Sequence, residues 1–287
     1  MAVMHQKGLF STHCGKSRIY YKYNIPINIF KTAPLEFPPH WHESMEIIYV
    51  TGEKLQLGYN NSVYTLNPRD IFVVWPGEIH YFLMQQDRCE RLIIQLEFSI
   101  FGELSTLVSS QKVTNGYIPV THDMHAFFEN LILKLSNESL QRQKGYEFLV
   151  GAGLYELTGG LLRHLPTETV CALEQNKHLK RLEILESVFK YIDKNYQEQI
   201  TLDEVAKVAN FSMYHFTRFF KEATGLTFWQ YLNNYKISKA VNLLLASTDS
   251  IAEIAFKCGF NSIKTFNRVF KQAKGVSPSQ FKKATFE

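Results

Sequence analysis

Three histidines and one carboxylate lie close together in the N-terminal part of the sequence. The stretch PPHWHESMEIIYVTG contains His40, His42 and Glu46, and the stretch DIFVVWPGEIH ends at His80. Imidazole nitrogens and carboxylate oxygens can bind a divalent transition metal, and they can also exchange hydrogen bonds with the hydroxyls of a small polar molecule. The residues leave three interpretations open: a metal site, a pocket for a small effector, and histidines with a structural role.

A second kind of chemistry is indicated near the C-terminus. The segment GFNSIKTFNRVFKQAKGVSPSQFKK, residues 259–283, contains five lysines and one arginine but no acidic residue, and its phenylalanines recur at helical spacing. Residues 181–287 contain 15 Lys+Arg and 10 Asp+Glu, a net charge of +5, whereas residues 1–180 contain 16 and 17, a net charge of −1. A basic helical surface of this kind predicts a polyanionic partner such as nucleic acid.

The elements that must position these residues change in character along the chain. Residues 25–98 contain short runs rich in Val, Ile, Tyr and Phe between turn residues, which predicts an antiparallel β-structure. From residue 123 the apolar residues recur at helical spacing, and a second helix is predicted over 146–164. We therefore expect an α+β chain with an N-terminal antiparallel β-barrel and flanking helices in residues 1–165, a linker in 166–180, and an all-α domain in 181–287.

Composition excludes several other classes of protein. The densest apolar run, residues 71–75, is too short to span a bilayer, and the N-terminus lacks the pattern of a signal peptide. The four cysteines are scattered without a CxxC pair, which suits a reducing cytosol. We expect a cytoplasmic protein with no membrane partner.

The last third of the chain contains an internal repeat. Residues 201–232 and 250–281 share glutamate, alanine, phenylalanine, arginine, lysine, glycine and glutamine at matching positions, with one extra residue in the second copy. Each copy begins with a capping box, at Thr201 and Ser250. Asn210 and Gly259 then suit a turn with positive φ, and Ser212 or Asn261 can cap a second helix.

A short helix, a tight turn and a second helix form a helix-turn-helix, so the repeat predicts two of them in one chain. The connecting helix, roughly Phe228 to Ala246, would be about 28 Å long at 1.5 Å per residue. Because one turn of B-DNA is about 34 Å long, this connector would place two reading helices in successive major-groove segments on one face of the duplex.

Residues 181–287 resemble the DNA-binding domain of the AraC/XylS family of bacterial transcription regulators, and GFNSIKTFNRVFKQAKGVSPSQFK is similar to the family's C-terminal signature. The resemblance implies that two helix-turn-helix subdomains bind adjacent major grooves of promoter DNA. The positions that match the family's DNA-facing surface are Ser212, Met213, Tyr214, Thr217, Arg218 and Lys221 in the first copy and Asn261, Ser262, Ile263, Lys264, Thr265, Asn267, Arg268 and Lys271 in the second. Among the lysines, Lys221, Lys271 and Lys274 are better placed to contact phosphate.

The N-terminal stretches resemble the two motifs of a cupin barrel. If residues 40–46 form one strand without a bulge, strand parity puts His40, His42 and Glu46 on one face, and His80 completes the set. In cupin enzymes such a set binds metal, whereas the resemblance to AraC-type regulators implies a barrel that senses a small molecule, often a sugar. Trp41 and Trp75 are expected to offer an aromatic face nearby. Arg69 stands where the cupin enzyme pattern has glycine, which weakens the enzyme interpretation.

Two functions therefore compete: a ligand-responsive transcription regulator, and a metal-dependent cupin enzyme with an appended DNA-binding domain. A DNA-binding third of the chain is hard to explain for an enzyme, so the regulator is favoured and no cofactor is expected. The partners are then double-stranded promoter DNA, a small effector and, for an activator, RNA polymerase. The apolar faces of residues 123–135 and 146–161 predict a homodimer, with coverage of the chain's own barrel as the alternative.

Overall fold

The computed structural model describes residues 15–16, 27–32, 37–60, 62–83 and 90–286. Its N-terminal part is built from the short strands that the sequence predicts. The strands are β1 Gly15–Lys16, β2 Ile27–Thr32, β3 Phe37–Trp41, β4 Met45–Val50, β5 Leu55–Tyr59, β6 Ser62–Leu66, β7 Ile71–Val74, β8 His80–Leu83, β9 Arg91–Leu96, β10 Gln111–Val113, β11 Tyr117–Ile118 and β12 Thr167–Thr169.

Most of the chain after residue 120 is helical. The α-helices are α1 Ser105–Ser109, α2 His125–Gln141, α3 Tyr146–His164, α4 Ala172–Asn195, α5 Leu202–Val208, α6 Met213–Thr224, α7 Phe228–Ala246, α8 Ile251–Lys257, α9 Ile263–Lys274 and α10 Pro278–Phe286. The α+β class is thereby confirmed, as are the predicted helix over 146–164 and the connecting helix from Phe228 to Ala246.

The strands form two five-stranded sheets, one in the order β1-β3-β8-β5-β6 and the other in the order β11-β7-β4-β9-β2. The inner faces of both sheets supply one apolar cluster, which includes Ile48, Leu57, Phe72, Phe82 and Ile93. Alternation along each strand explains this cluster, because every second side chain points to the same face. In the described residues no strand pairing joins the two sheets, so closure into a barrel stays a prediction.

Helices α2 and α3 pack against the outer face of the second sheet. Their buried residues Phe128, Leu135 and Leu157 share an apolar cluster with Ile47 and Ile94 of that sheet. At the position where the cupin enzyme pattern has glycine, Arg69 adopts a left-handed φ of 73°. Its guanidinium donates to both carboxylate oxygens of Glu129 on α2, at 2.8 and 2.6 Å.

The segment 166–180, predicted as a linker, has regular structure. Strand β12 pairs with β10, and helix α4 runs without interruption through the predicted boundary at residue 181. The physical reason is a capping box at the start of α4, where the Cys171 backbone N–H donates to Glu174 Oε2 at 3.3 Å. Residues 166–180 therefore have regular structure, and their role as a linker between domains 1–165 and 181–287 stays a prediction.

Within the part of the chain that the structure describes, no helix is both long enough and apolar enough to cross a membrane.

Candidate functional site

The three histidines and Glu46 meet between the two sheets. His40 on β3 is the register partner of His80 on β8, and Glu46 comes from β4 in the facing sheet. The condition for strand parity, one continuous strand over residues 40–46, is not met, because the chain leaves β3 after Trp41 and enters the other sheet at Met45. The four side chains converge because the chain crosses between sheets, and not because of parity along a single strand.

All four side chains of this histidine cluster are buried, and His80 has no exposed surface. Ring nitrogens of His40, His42 and His80 lie within 4.8 Å of one another. Glu46 lies beside them, with Oε2 3.2 Å from His42 Nε2 and Oε1 3.7 Å from His80 Nε2. This arrangement fits the donor set of a divalent transition metal, which prefers imidazole nitrogens and a carboxylate.

Backbone carbonyls fix the orientation of two of the rings. His42 Nδ1 donates to the Ser44 carbonyl at 2.9 Å, and His80 Nδ1 donates to the Glu78 carbonyl at 3.0 Å. Since a neutral imidazole has a single N–H, the Nε2 atom of each ring is left as an acceptor that faces Glu46. Such hydrogen bonds from the remote ring nitrogen are the usual way in which a ligating histidine is oriented.

The contact between His42 and Glu46 requires a positive charge. Two acceptor atoms at 3.2 Å repel each other unless a proton sits on His42 Nε2 or a cation lies nearby. Among the described residues, Glu46 Oε1 and His80 Nε2 have no hydrogen-bond partner. Because a buried polar atom without a partner costs free energy, the cluster is suited to receive a cation or the polar groups of a ligand.

Burial and charge shift the protonation of the cluster. Burial raises the pKa of Glu46, but the hydrogen bond with His42 and the charges of His80, His42 and His40 outweigh it and hold the pKa well below its usual range. Burial lowers the pKa of His80 to about 4, against the attraction of Glu46. At neutral pH the cluster therefore combines an ionised carboxylate with a neutral imidazole, the protonation states that bind a metal.

Gln95 is a member of the cluster that the sequence reasoning missed. Its side-chain amide donates to Glu46 Oε2 at 2.7 Å, from a position opposite Glu46 on the neighbouring strand β9. The available signal was a single amide in the apolar run RLIIQL, because a polar residue inside a buried strand needs a partner.

The side chains of the two tryptophans predicted beside the histidines point away from the histidine cluster. Trp41 belongs to the apolar cluster around α4, and Trp75 packs on Phe98, with ring centroids 5.2 Å apart, in the cluster on the outer side of the second sheet. The reason is strand alternation: Trp41 directly follows His40, and Trp75 directly follows the inward-facing Val74. Phe82, on β8 with His80, presents an aromatic ring on the inner face, with its centroid 6.4 Å from that of His80.

The C-terminal repeat forms the two predicted helix-turn-helix units, α5–α6 and α8–α9. Thr201 and Ser250 each accept from the backbone N–H three residues later and form the predicted capping boxes. Asn210 and Gly259 adopt positive φ of 55° and 75° in the two turns. These matching local features build α6 and α9 as two helices of 12 residues each, one before and one after α7 in the chain.

The extra residue of the second copy lies between the turn and the second helix. Ser212 caps α6 by accepting from the His215 N–H, and Ser262, not Asn261, caps α9 by accepting from the Thr265 N–H. The proposed cap at Asn261 was therefore wrong. Asn261 is an exposed insertion that keeps the two serine caps equivalent.

The predicted reading surfaces are exposed, while the aromatic residues between them are buried. Phe216 and Phe220 of α6 and Phe266 and Phe270 of α9 have no exposed surface. The predicted reading positions lie on the opposite side of their helices, at the N-cap or, for Asn261, directly before it. Ser262 is partly buried. The exposed positions are Ser212, Met213, Tyr214, Thr217, Arg218, Lys221, Asn261, Ile263, Lys264, Thr265, Asn267, Arg268 and Lys271. Lys274 is buried, so its predicted phosphate contact was wrong.

The two equivalent arginines have different neighbours. Arg218 donates to Glu222 at 2.8 Å, four residues later on the same helix. The residue four positions after Arg268 is Gln272, and among the described residues Arg268 has no ion-pair partner. The second reading helix is the more basic of the two, and it presents a guanidinium that no carboxylate of the described residues contacts.

Comparison with known proteins finds a domain match in each part of the chain. Residues 31–157 match the model of the AraC-like ligand binding domain, and residues 205–284 match that of a helix-turn-helix domain. The two matches together give the domain composition of a transcription regulator, with a ligand-binding domain followed by a DNA-binding domain.

Similar proteins include two named as transcriptional activators. The HTH-type transcriptional activator RhaR of Mannheimia succiniciproducens is 20% identical over 86% of this chain and 87% of its own length. RhaS of Escherichia coli O127:H6 is 23% identical over 97% of this chain and 96% of its own length. The transposon Tn10 TetD protein of Escherichia coli is 33% identical over 35% of this chain and 72% of its own length. The chain belongs to the AraC/XylS family of transcription regulators.

Proposed function

We propose that one chain binds specific promoter DNA through α6 and α9, and that a small polar ligand held by the histidine cluster controls this binding. The observation that carries the DNA-binding part is the pair of equivalent, exposed reading helices at the ends of α7. Helix α7 has 19 residues, a length of about 28 Å. This spacing is compatible with successive major-groove segments of one duplex, about 34 Å apart.

The ligand is proposed from the chemistry of the cluster. His40, His42, Glu46 and His80 can accept from or donate to hydroxyls, and Gln95 adds an amide at the same place. A small polyol or sugar-like molecule suits these groups better than an apolar one. Trp41 and Trp75, which pack elsewhere, have no part in this proposal.

A divalent transition metal is the second candidate for the same site. It is favoured by Glu46 Oε1 and His80 Nε2, which have no hydrogen-bond partner among the described residues, and by the ring orientations that the backbone carbonyls fix. His40, His42, His80 and Glu46 would hold the ion. Its positive charge would balance the Glu46 carboxylate, and open coordination positions would let it bind oxygen atoms of an effector.

The remaining partners follow from the proposed role. We expect a homodimer, which is supported by the exposed apolar residues Phe148, Leu149 and Tyr155 on α3. Promoter DNA as a partner implies action in the cytoplasm and, for an activator, contact with RNA polymerase.

Replacing Arg268 with alanine is expected to weaken binding to the selected DNA site by about 1–3 kcal/mol, or roughly 5- to 150-fold in Kd. The loss on random DNA should be much smaller, because a base contact contributes only at the correct base. Fluorescence anisotropy with both DNAs at several salt concentrations measures the difference. The full-length parent should lose affinity steeply as salt rises.

Arg268→Lys is the matched control, because it keeps the charge but loses the planar fork that can contact two acceptors of guanine. It should retain binding to random DNA and lose binding to the specific site. Equal losses on both DNAs for Arg268→Ala would make this arginine a phosphate contact. No affinity of the folded full chain for any promoter fragment at low salt would refute the DNA-binding proposal.

The double variant His42→Ala/His80→Ala is expected to bind DNA without responding to the effector in a promoter reporter. The reason is that it removes two of the groups that contact the ligand. Metal analysis of the purified parent distinguishes a metal site from a site that binds the effector directly. One equivalent of transition metal in the parent, lost in the double variant, would support the metal site. A full effector response in the double variant would exclude these histidines from sensing.

A further inference from the structure

The histidine cluster lies directly behind a contact between the N-terminal sheets and the DNA-binding helices. Trp41 follows His40 on β3, and Ile79 precedes His80 at the start of β8. Strand alternation turns these two side chains away from the cluster. Both are buried in the apolar cluster that contains Leu182 of α4 and Phe216 of the first reading helix.

Hydrogen bonds of the Gly77 backbone also join the histidine cluster to helix α4. The Gly77 N–H donates to the His42 carbonyl at 2.8 Å, and the Gly77 carbonyl accepts from His178 Nε2 of α4 at 3.1 Å. Gly77 has a φ of +79°, and a Cβ built on it would lie 2.8 Å from His178 Nε2 and 3.4 Å from Leu182 Cδ1. Helix α4 therefore rests on the turn that precedes His80.

The contact also reaches the helix that joins the two reading units. Helix α7 packs against β3, the strand that carries His40 and Trp41. Close-packed interiors do not deform freely, so a displacement of one side chain is passed to its neighbours. A shift of β3 or of the turn at Gly77 would therefore change the position of α4 or α7, and with them the two reading helices.

We propose that this contact, formed by Trp41, Ile79 and the Gly77–His178 hydrogen bond, couples the histidine cluster to DNA binding within a single chain. The proposal rests on the proposed function, in which the cluster holds the effector. A ligand shifts the equilibrium only if it favours one arrangement of the contact over the other. The coupling is reciprocal, so DNA binding would change affinity at the cluster by the same factor.

A double-mutant cycle on the full chain tests this route without requiring the effector. Glu46→Gln perturbs the cluster, and Trp41→Leu/His178→Ala breaks the contact. We expect Glu46→Gln alone to change the Kd for the DNA site selected by the parent by about fivefold or more. In the Trp41→Leu/His178→Ala background the same substitution should leave Kd unchanged, because the route is interrupted.

Glu129→Gln is the matched control. Glu129 is also a buried carboxylate of the N-terminal part, but it pairs with Arg69 and Tyr49 on the side covered by α2. It should leave DNA affinity unchanged in both backgrounds. An equal effect of Glu46→Gln in both backgrounds, or no effect in the parent background, would overturn the proposal.

Hydrogen–deuterium exchange provides a second readout that needs neither DNA nor a folded contact variant. Glu46→Gln should alter exchange in α4 near His178 and at the start of α7, whereas Glu129→Gln should not. Unchanged exchange in both helices would overturn the coupling. A parent chain that binds no duplex would refute the proposed function instead, so the two failures are distinguishable.

Discussion

Replacing Phe266 with alanine is expected to lower the free energy of unfolding of the C-terminal domain by about 3–5 kcal/mol. Phe266 has no exposed surface and lies between Phe260 and Phe270, with ring centroids 5.1 and 5.5 Å away. Its removal takes away buried apolar surface and leaves a cavity in the core of the second helix-turn-helix. Chemical denaturation of the full chain, followed by circular dichroism, measures the loss.

Phe256→Ala is the matched control for this substitution. Phe256 lies on α8 in the same unit, but its side chain is 55% exposed. The same chemical change there should cost no more than about 0.5 kcal/mol, as is usual for surface positions. Similar losses for the two variants would contradict the described core of the second unit.

Gly259→Ala is expected to destabilise the same unit by about 2–5 kcal/mol, for a different reason. Gly259 has a φ of +75°, and an added Cβ would lie 2.3 Å from the Tyr196 carbonyl oxygen and 2.8 Å from the Gln197 carbonyl oxygen. Backbone atoms cannot move aside as a flexible side chain can. The turn of the second unit would therefore have to separate from the end of α4, and thermal unfolding should show the loss.

Gly145→Ala is the control that measures the cost of the positive φ alone. Gly145 has a φ of +87°, but no atom of the residues that the structure describes lies within 4 Å of an added Cβ. Alanine at this position should lower the free energy of unfolding only by the cost of the left-handed conformation, about 1–2 kcal/mol. If Gly259→Ala cost no more than Gly145→Ala, the close approach of the turn to α4 would be refuted.

The structure of the C-terminal domain could be predicted closely because the sequence signals that specify it are local. Capping boxes at Thr201 and Ser250 and positive φ at Asn210 and Gly259 each depend on a few neighbouring residues. The repeat then showed every signal twice. The cap of α9 was assigned to Asn261 instead of Ser262, because the repeat did not show where the extra residue lies.

The histidine cluster could be predicted by its members but not by its geometry. The residue types of His40, His42, Glu46 and His80 indicated that they form one site. Their arrangement depends on the crossing from β3 to the facing sheet, and this crossing depends on how the sheets pack. The partner Gln95 comes from a strand almost fifty residues later, as its separation of 49 from Glu46 shows. Local patterns carry little information about such distant pairings.

The contact between the two parts of the chain was not predictable from periodicity. Residues 166–180 contain proline and polar residues, which suggested a linker, whereas the structure places His178 of this segment on Gly77. The pairing of β12 with β10 and the capping box at Cys171 give the segment regular structure. Such tertiary contacts override the weak local preferences of a short polar stretch.

The central claim is that one chain carries two readers of a single DNA duplex. The most direct test is a hydroxyl-radical footprint of the full-length protein on its selected site, with Arg268→Ala measured alongside. The account predicts two protected segments for each bound chain, on one face of the duplex and about one helical turn apart, with protection weakened first in one of them by Arg268→Ala. Protection of a single segment per chain, or equal weakening of both segments, would contradict it.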